Sequence, residues 1–300
     1  MPTTTKHVQN IISSLDGAYA PSTIRGYTSD IQSFTNFCAN ENAKSFPADP
    51  QTVVDYLSDQ TARGFNPRTL ERRLYAIRKF HRLQDLPDPT RDNRVHLSFR
   101  RIKRASHARP SQAAALTSRD IDKLLHKMPQ CPRTLRNHLI IALGYDLLAR
   151  RSELVALTDG DCQPAEGGTY SFLIRRSKSD PFGSGRLAFC SPRTARLLEE
   201  WWAWRGDKTP WLFCPIYKDQ PVDRALSCTT VRRTVKSLML SLGKSEAEAR
   251  RYSGHSMRVG AAQDLLRRGH DTAGIMRAGG WKSLKVLSRY LESAESNPWL

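Results

Sequence analysis

The stretch from Ala105 to Ala115, ASHARPSQAAA, most constrains the fold of this chain, because helical patterns lie on both sides of it and none crosses it. Serine, proline, alanine and basic residues without an apolar stripe are typical of a linker. A chain of 300 residues is long enough for two domains that each bury a core. We therefore predict one domain over residues 1–105, a linker over 106–115 and a second domain over 116–300.

The first 105 residues carry apolar residues at helical spacing in several short runs. The pattern predicts a second helix capped by Ser22 and a third that begins at Asp49-Pro50. A fourth follows Asn66-Pro67. Its predicted apolar face comprises Leu70, Leu74, Ile77 and Leu83. This domain is expected to consist of four to five helices.

The second domain is predicted to be rich in helices, with a small antiparallel sheet at one edge. Helices are expected over about 132–148, 192–204, 229–242, 255–268 and 283–291. Two β-prone runs flank the turn-forming sequence SDPFGSG, which predicts a hairpin or a three-stranded sheet. Lys178 is expected at the end of the first of these strands. The fold class is therefore mainly α.

The chain carries a net charge of +18, from 47 lysines and arginines against 29 acidic residues, which favours a polyanionic partner. We expect nucleic acid rather than a membrane, because no apolar run approaches the roughly 18 residues of a spanning helix. The six scattered cysteines form no metal-ligand pattern, and nucleotide-binding motifs are absent from the sequence. We expect a reduced, cytoplasmic compartment and no metal or other cofactor.

Basic residues are concentrated between Arg63 and Arg109, where 14 of them stand against four acidic residues. Most charge runs are solvated helix surfaces. Here acidic partners at i,i+4 are mostly missing, and we predict contact with DNA instead. The predicted contact residues are Arg68, Arg72, Arg73, Arg78, Lys79, Arg82, Arg100, Arg101, Lys103 and Arg104.

Near the end of the chain, four residues form a donor set with a hydroxyl nucleophile. Arg258 follows His255 by three residues, Trp281 follows Arg258 by 23, and Tyr290 follows Trp281 by nine. A guanidinium matches phosphate oxygens, a tyrosine hydroxyl can attack in line, and Lys178 can protonate the leaving oxygen. Each residue alone has an ordinary structural explanation, but the combination predicts metal-free chemistry on a phosphodiester.

The joint pattern resembles the tyrosine recombinase, or phage integrase, family. The resemblance rests on His255-x-x-Arg258, Gly279-Gly280-Trp281 and Tyr290, preceded by Arg150-Arg151-Ser152-Glu153-Leu154 and by Lys178. It extends into the N-terminal half through residues 46–57 and 62–64, so it covers nearly the whole chain.

This resemblance implies roles for the residues that would surround the scissile phosphate. Arg150 and Arg258 would hold the phosphate, and Glu153 would support the site from behind. His255 would donate a hydrogen bond and handle protons. Trp281 would stand where many relatives have a second histidine.

The resemblance also implies the course of the reaction. Tyr290 would attack to give a 3′-phosphotyrosine, and Lys178 would protonate the 5′-oxygen that leaves. The two domains would form a clamp around double-stranded DNA, and a homo-tetramer would act on two sites with inverted repeats. No cofactor would be needed, because the bond energy stays in the protein–DNA linkage.

Two features depart from the family pattern. Arg151 stands where an apolar residue is usual, and the register of Ser152-Glu153-Leu154 assigns the phosphate role to Arg150. The chain continues for only ten residues after Tyr290, so Trp299 and Leu300 would form a minimal plug for a neighbouring subunit, or else a frayed or trimmed end. A type IB topoisomerase and a catalytically silent DNA-binding protein are the alternative functions.

Overall fold

A computed structural model gives the fold and describes residues 2–106, 112–126, 131–175, 183, 185–292 and 294, with side chains from residue 8 onward. The chain forms two compact units that divide between Pro110 and Ser111, within the stretch predicted as a linker. Each unit has its own hydrophobic core. The prediction of a mainly α fold with a small antiparallel sheet is confirmed. Among the described helices, none combines the length and the apolar character needed to cross a membrane.

The described part of the first unit contains five α-helices. They are α1 (Pro2–Ser14), α2 (Pro21–Asn40), α3 (Pro50–Ala62), α4 (Pro67–Arg82) and α5 (Asn93–Ala105), with a 3-10 turn at Pro89–Arg91. Helix α2 packs on α4, and α3 packs on α5. Phe34, Tyr56, Leu70 and Phe80 are completely buried and belong to the core between these helices.

Capping side chains fix the start of α3 and α4. The carboxylate of Asp49 accepts a hydrogen bond from the N–H of Gln51 at 2.7 Å. The amide oxygen of Asn66 accepts one from the N–H of Thr69 at 3.0 Å. Each cap is followed by a proline, whose φ already suits the first helical position. Both helix starts are therefore as predicted.

Two sequence predictions for this unit are wrong in detail. Helix α2 begins at Pro21 after Ala20, so Ser22 lies in the first turn and is not the cap. Proline at the first position needs no side-chain cap to fix its backbone. Leu83 was predicted on the apolar face of α4, but it follows the last helical residue and is 38% exposed.

The second unit contains nine α-helices and five strands in its described part. The helices are α6 (Ser118–Leu125), α7 (Pro132–Asp146), α8 (Arg151–Leu154), α9 (Pro192–Arg205), α10 (Cys228–Ser241), α11 (Glu246–Arg250), α12 (Ser256–Arg267), α13 (Thr272–Gly279) and α14 (Leu284–Leu291). The strands are β1 (Cys162–Ala165), β2 (Thr169–Ile174), β3 (Arg186–Phe189), β4 (Ile216–Tyr217) and β5 (Gln220–Pro221), and a 3-10 turn covers Asp159–Asp161.

Helix α7 lies at the centre of the second unit. Its residues 139–143 are all completely buried, and α6, α9 and α12 pack against it. A helix that is apolar on every side belongs in the interior. It ends at Asp146, earlier than predicted, and the chain then turns at Leu148, whose φ of 46° lies in the left-handed region. This turn leads directly into Arg150.

The small sheet has the order β1-β2-β3 and is antiparallel throughout. Phe172 of β2 pairs with Cys162 on one side and Ala188 on the other, and its ring is completely buried. Of the two predicted alternatives, the three-stranded sheet is therefore the observed one. Lys178 lies outside the described residues. The β4–β5 pair, α11 and α13 were not predicted, because such short elements carry little periodic signal.

The segment before α6 is packed against α12. Leu116 is completely buried, and its N–H donates to the carbonyl of Ser256 at 2.9 Å. Gly260 faces this segment, and a Cβ placed on Gly260 would lie 1.8 Å from the carbonyl oxygen of Leu116. Only glycine permits this close approach of two backbones.

We expect Gly260→Ala to lower the free energy of unfolding by about 1–3 kcal/mol, the usual cost of overpacking a core. Denaturant unfolding measures the change. Gly160→Ala is the matched control, because the nearest atom to its Cβ would be 3.9 Å away. That control should change stability by no more than about 0.5 kcal/mol. Equal losses in the two variants would contradict the packing argument.

Candidate active site

The turn after α7 places Arg150 immediately before α8. Its backbone is extended, and the carboxylate of Glu153 accepts a hydrogen bond from its N–H at 3.0 Å. The same carboxylate accepts a second hydrogen bond from Arg150 Nη1 at 2.5 Å. Glu153 is buried, so this ion pair is shielded from water and holds the guanidinium in one orientation.

A second guanidinium reaches Glu153 from β3. Nη2 of Arg186 donates to the carbonyl of Leu147 at 2.8 Å and lies 3.5 Å from the Glu153 carboxylate, and Nη1 donates to the carbonyl of Ala278 at 2.7 Å. Burial lowers the pKa of Arg186, although the charge of Glu153 opposes the shift. Sequence reasoning missed this residue, because an arginine at the start of a short strand is usually exposed.

Arg258 lies in the first turn of α12 and is completely buried. Its Nη1 donates to the carbonyl of Leu148, and its Cζ lies 3.9 Å from the centroid of the Trp281 ring. Nε and Nη2 of Arg258 have no hydrogen-bond partner among the described residues. Burial lowers the pKa of Arg258 to about 10, and the charge of Arg150 adds to the effect. The group therefore remains charged at neutral pH.

Two glycines bring Trp281 back towards α12. Gly280 ends α13 with a φ of 64°, and a Cβ on Gly279 would lie 1.9 Å from the Trp281 ring. The indole is 6% exposed, and its Nε1 is a third buried donor that lacks a partner within the described ranges. The rings of Trp281 and Tyr290 meet edge to face, with centroids 5.0 Å apart and an interplanar angle of 68°.

Tyr290 belongs to α14, which is fixed to α12. Nε2 of Gln263 donates to the backbone carbonyl of Tyr290 at 2.9 Å, and Leu287 of α14 is completely buried. The Cζ of Arg258 lies 5.8 Å from the centroid of the Tyr290 ring. The phenol is partly exposed, and its hydroxyl has no hydrogen-bond partner in the part of the chain that the structure describes. This hydroxyl is therefore available to a substrate.

His255 is the N-cap residue of α12 and is exposed to solvent. Partial desolvation of the ring lowers its pKa, and the positive charges of Arg258, Arg151 and Arg150 lower it further, while Glu153 acts in the opposite direction. An ordinary histidine has a pKa of about 6.5. His255 is therefore uncharged at neutral pH.

We expect Arg151→Met to raise the pKa of His255. Removal of a nearby positive charge makes protonation of the ring less unfavourable, so the pKa moves back towards the ordinary value. An NMR titration of the His255 ring protons measures the change. Arg250→Met is the control, since Arg250 is exposed and pairs with Glu246 at 3.6 Å. A His255 pKa that is unchanged or lower in the Arg151 variant would contradict this assignment.

The structure brings together six of the seven residues predicted for the catalytic site. They are Arg150, Glu153, His255, Arg258, Trp281 and Tyr290. The seventh, Lys178, and the tail residues Trp299 and Leu300 lie outside the described residues.

The predicted DNA-contact residues of the first unit do not share one environment. Arg73 is only 8% exposed, and its Cζ lies 4.0 Å from the centroid of the Phe65 ring. Arg73, predicted as a DNA contact, is therefore a buried side chain that packs on an aromatic ring. Arg72 is exposed but donates two hydrogen bonds, each of 2.7 Å, to the carboxylate of Asp30 on α2.

Three further basic residues of this set have acidic partners that lie outside the i,i+4 positions. Arg78 and Arg82 lie 3.4 and 3.8 Å from the carboxylate of Asp88, and Lys103 lies 2.7 Å from Glu71. These acids come from other turns or helices, so the spacing of charges along one helix does not reveal them. The remaining members of the set are Lys79, which lies 5.0 Å from the Tyr19 ring, and the exposed residues Arg68, Arg100, Arg101 and Arg104.

Comparison with known families gives two matches that together span most of the chain. Residues 114–297 match the phage integrase family, and residues 13–84 match the phage integrase N-terminal SAM-like domain. The recombinase Cre of Escherichia phage P1 is 30% identical over 295 residues, which cover 93% of this chain and 86% of Cre. An integrase/recombinase XerD homolog of Selenomonas ruminantium is 26% identical over 93% of this chain and 83% of its own.

Solved structures with the same fold include two DNA complexes. The XerH site-specific recombinase, bound to a palindromic difH substrate after cleavage, superposes with a TM-score of 0.66 at 20% identity, over 91% of this chain and 76% of XerH. The Tn1549 transposon integrase, in complex with transposon right end DNA, superposes with a TM-score of 0.68 at 13% identity, over 96% and 95% of the two chains. At identities of 20% and 13%, these superpositions show a shared fold and nothing further.

Proposed function

The chain belongs to the phage integrase family of tyrosine recombinases, and from that premise we propose that it is a site-specific DNA recombinase whose nucleophile is Tyr290. One observation carries the proposal. Three buried donors without partners among the described residues, Arg258 Nε, Arg258 Nη2 and Trp281 Nε1, lie beside the ring of Tyr290. Cleavage of a phosphodiester requires hydrogen-bond donors for the phosphate oxygens close to the attacking hydroxyl.

The unpaired donors favour an anionic ligand. A buried polar group that lacks a hydrogen bond costs about 1–3 kcal/mol, and more when it is charged. The non-bridging oxygens of a phosphodiester can satisfy the donors of Arg258 and Trp281 at once. Arg150, oriented by Glu153, adds a second forked cation. In surroundings with little water, these charges stabilise the negative charge of the transition state more strongly than they could in solution.

The remaining groups complete the proposed reaction. The Tyr290 hydroxyl attacks the phosphorus, a 3′-phosphotyrosine bond forms, and the bond to the 5′-oxygen breaks. His255, uncharged at neutral pH, is suited to take the hydroxyl proton. We assign protonation of the leaving 5′-oxygen to Lys178. The reverse reaction, with a 5′-hydroxyl from another strand as the nucleophile, rejoins the DNA without an external energy source.

Double-stranded DNA is the proposed substrate, and both units are proposed to contact it. In the first unit we assign phosphate contacts to the exposed residues Arg68, Arg100, Arg101 and Arg104, which have no carboxylate partner within the described ranges. The residues whose charges are already paired, among them Arg72, are expected to contribute less. Exchange between two sites with inverted repeats requires four nucleophiles, so we propose a homo-tetramer as the active assembly.

A two-step experiment tests the proposed function. Selection of bound duplexes from a random pool should give inverted repeats that flank a short spacer. A plasmid that carries two copies of the selected site should then yield recombinant products. Relaxation of supercoils without recombinants would indicate a topoisomerase instead, and binding without any covalent adduct would indicate a silent DNA-binding protein.

A further inference from the structure

Arg186 connects three segments of the active site that are distant in sequence. Its guanidinium donates to the carbonyls of Leu147 and Ala278 and contacts the carboxylate of Glu153. The side chain is 13% exposed, so water competes weakly for these bonds. Among the described residues, Arg186 makes no hydrogen bond to Arg258 or Trp281. Apart from the repulsion between its charge and that of Arg258, its contribution therefore passes through the groups that it holds.

The first of these groups is the turn that presents Arg150. The carbonyls of Leu147 and Leu148 are adjacent, and each accepts a hydrogen bond from a guanidinium, Arg186 for the first and Arg258 for the second. Leu148 has a φ of 46°, a left-handed conformation that costs a residue with a side chain about 1–3 kcal/mol. Such a turn persists only when other contacts hold it, and the two guanidinium groups provide them.

The second group is the carboxylate that orients Arg150. One oxygen of Glu153 accepts from Arg150 Nη1, and the other accepts from the Arg150 N–H and lies 3.5 Å from Arg186 Nη2. Without Arg186, the Glu153 carboxylate would lose its contact with this second guanidinium. Its remaining side-chain hydrogen bonds among the described residues would come from Arg150, which is the group that it has to position.

The third group is the end of α13, next to Trp281. Arg186 Nη1 holds the carbonyl of Ala278, three residues before the indole. The aliphatic part of the Arg186 side chain packs against the backbone at Gly280, because a Cβ on Gly280 would lie 2.8 Å from Arg186 Cδ. The planar guanidinium of Arg186 therefore holds the two backbone segments that lead to Arg150 and to Trp281. A lysine ammonium is a point charge without this fork and cannot match these acceptors in the same way.

We propose that Arg186 is a positioning residue for strand cleavage, which holds Arg150 through Leu147 and Glu153 and holds Trp281 through Ala278. The proposal deepens the proposed function and depends on it. A shift of about 1 Å in a catalytic group can reduce a rate on the order of 10²-fold. We therefore expect Arg186→Met to slow single-turnover cleavage of a nicked suicide substrate on the order of 10²-fold, with an unchanged Kd for the same DNA.

The matched control is Arg205→Met. Arg205 is also buried, donates to the carbonyl of Thr209 and pairs with Asp159 at 2.6 Å, but none of these contacts involves a residue of the active site. Its loss should lower the melting temperature and leave the cleavage rate of the folded protein unchanged. Arg186→Lys, which keeps the charge, serves if Arg186→Met fails to fold, and its cleavage should also be slowed.

The outcomes separate the two proposals. If the wild-type protein forms no covalent adduct with its selected site, the proposed function fails. If the wild-type protein forms the adduct and the folded Arg186 variants form it at the same rate, the positioning role is overturned. An equal loss of rate in Arg205→Met would also overturn it, because the effect would then follow from destabilisation. A lower rate in the Arg186 variants alone, with an unchanged Kd, supports the positioning role.

Discussion

Tyr290→Phe is expected to abolish the covalent protein–DNA adduct while the fold and the affinity for DNA stay unchanged. The substitution removes one hydroxyl that has no hydrogen-bond partner in the described part of the chain, and it keeps the ring that packs on Trp281 with a centroid separation of 5.0 Å. Incubation with a nicked suicide substrate, followed by denaturing electrophoresis, detects the adduct. Without the oxygen, no phosphotyrosine bond can form.

A matched control for this experiment is Tyr217→Phe. Tyr217 lies on β4, is 67% exposed and contacts none of the six residues that the structure brings together. Its variant should form the adduct like the wild-type protein. Adduct formation by Tyr290→Phe would assign the nucleophile to another residue, and a failure of both variants would point to a defect of the preparation.

Arg258→Met is expected to slow cleavage by roughly 10³-fold or more, as arginines do in other phosphoryl transfers. The same substitution should change the free energy of unfolding much less than the complete burial of Arg258 suggests. An apolar side chain of similar size removes the desolvation cost that a buried charge carries. Here the charge is desolvated, is repelled by Arg150 and Arg186, and has two nitrogen atoms without partners among the described residues. The loss of its stacking on Trp281 and of its hydrogen bond to the carbonyl of Leu148 offsets part of that gain.

Single-turnover cleavage and denaturant unfolding of the same preparation test both parts of this prediction. Arg267→Met provides the control on the same helix, because Arg267 is exposed and pairs with Asp264 at 2.7 Å. Its cleavage rate should stay close to that of the wild-type protein. A loss of less than tenfold in Arg258→Met would contradict the phosphate-holding role. A large loss of stability would show that the arginine is retained for folding rather than for chemistry.

Helix starts and the kinds of catalytic groups were predictable because they depend on local chemistry. Asp49-Pro50 and Asn66-Pro67 begin helices as predicted, since a cap and a proline act within one turn. The short β4–β5 pair was missed, because two residues carry no usable period. The basic residues of α4 illustrate a different limit. Asp30, the carboxylate partner of Arg72, is 42 residues away from it, so no local rule could pair the two.

The sequence by itself determined the identity and order of the reactive groups: the histidine and arginine at the start of α12, the tryptophan after two glycines, and the tyrosine on the last described helix. Only the tertiary structure decided how they meet. Glu153 is shared by two arginines, Arg258 stacks on Trp281, and Arg186 joins the turn at Leu147 to the end of α13. The physical reason is the distance along the chain over which each kind of interaction acts. Residue types and their spacing report one helical turn or one strand, whereas a buried guanidinium is positioned by carbonyl groups that the fold brings from far along the chain.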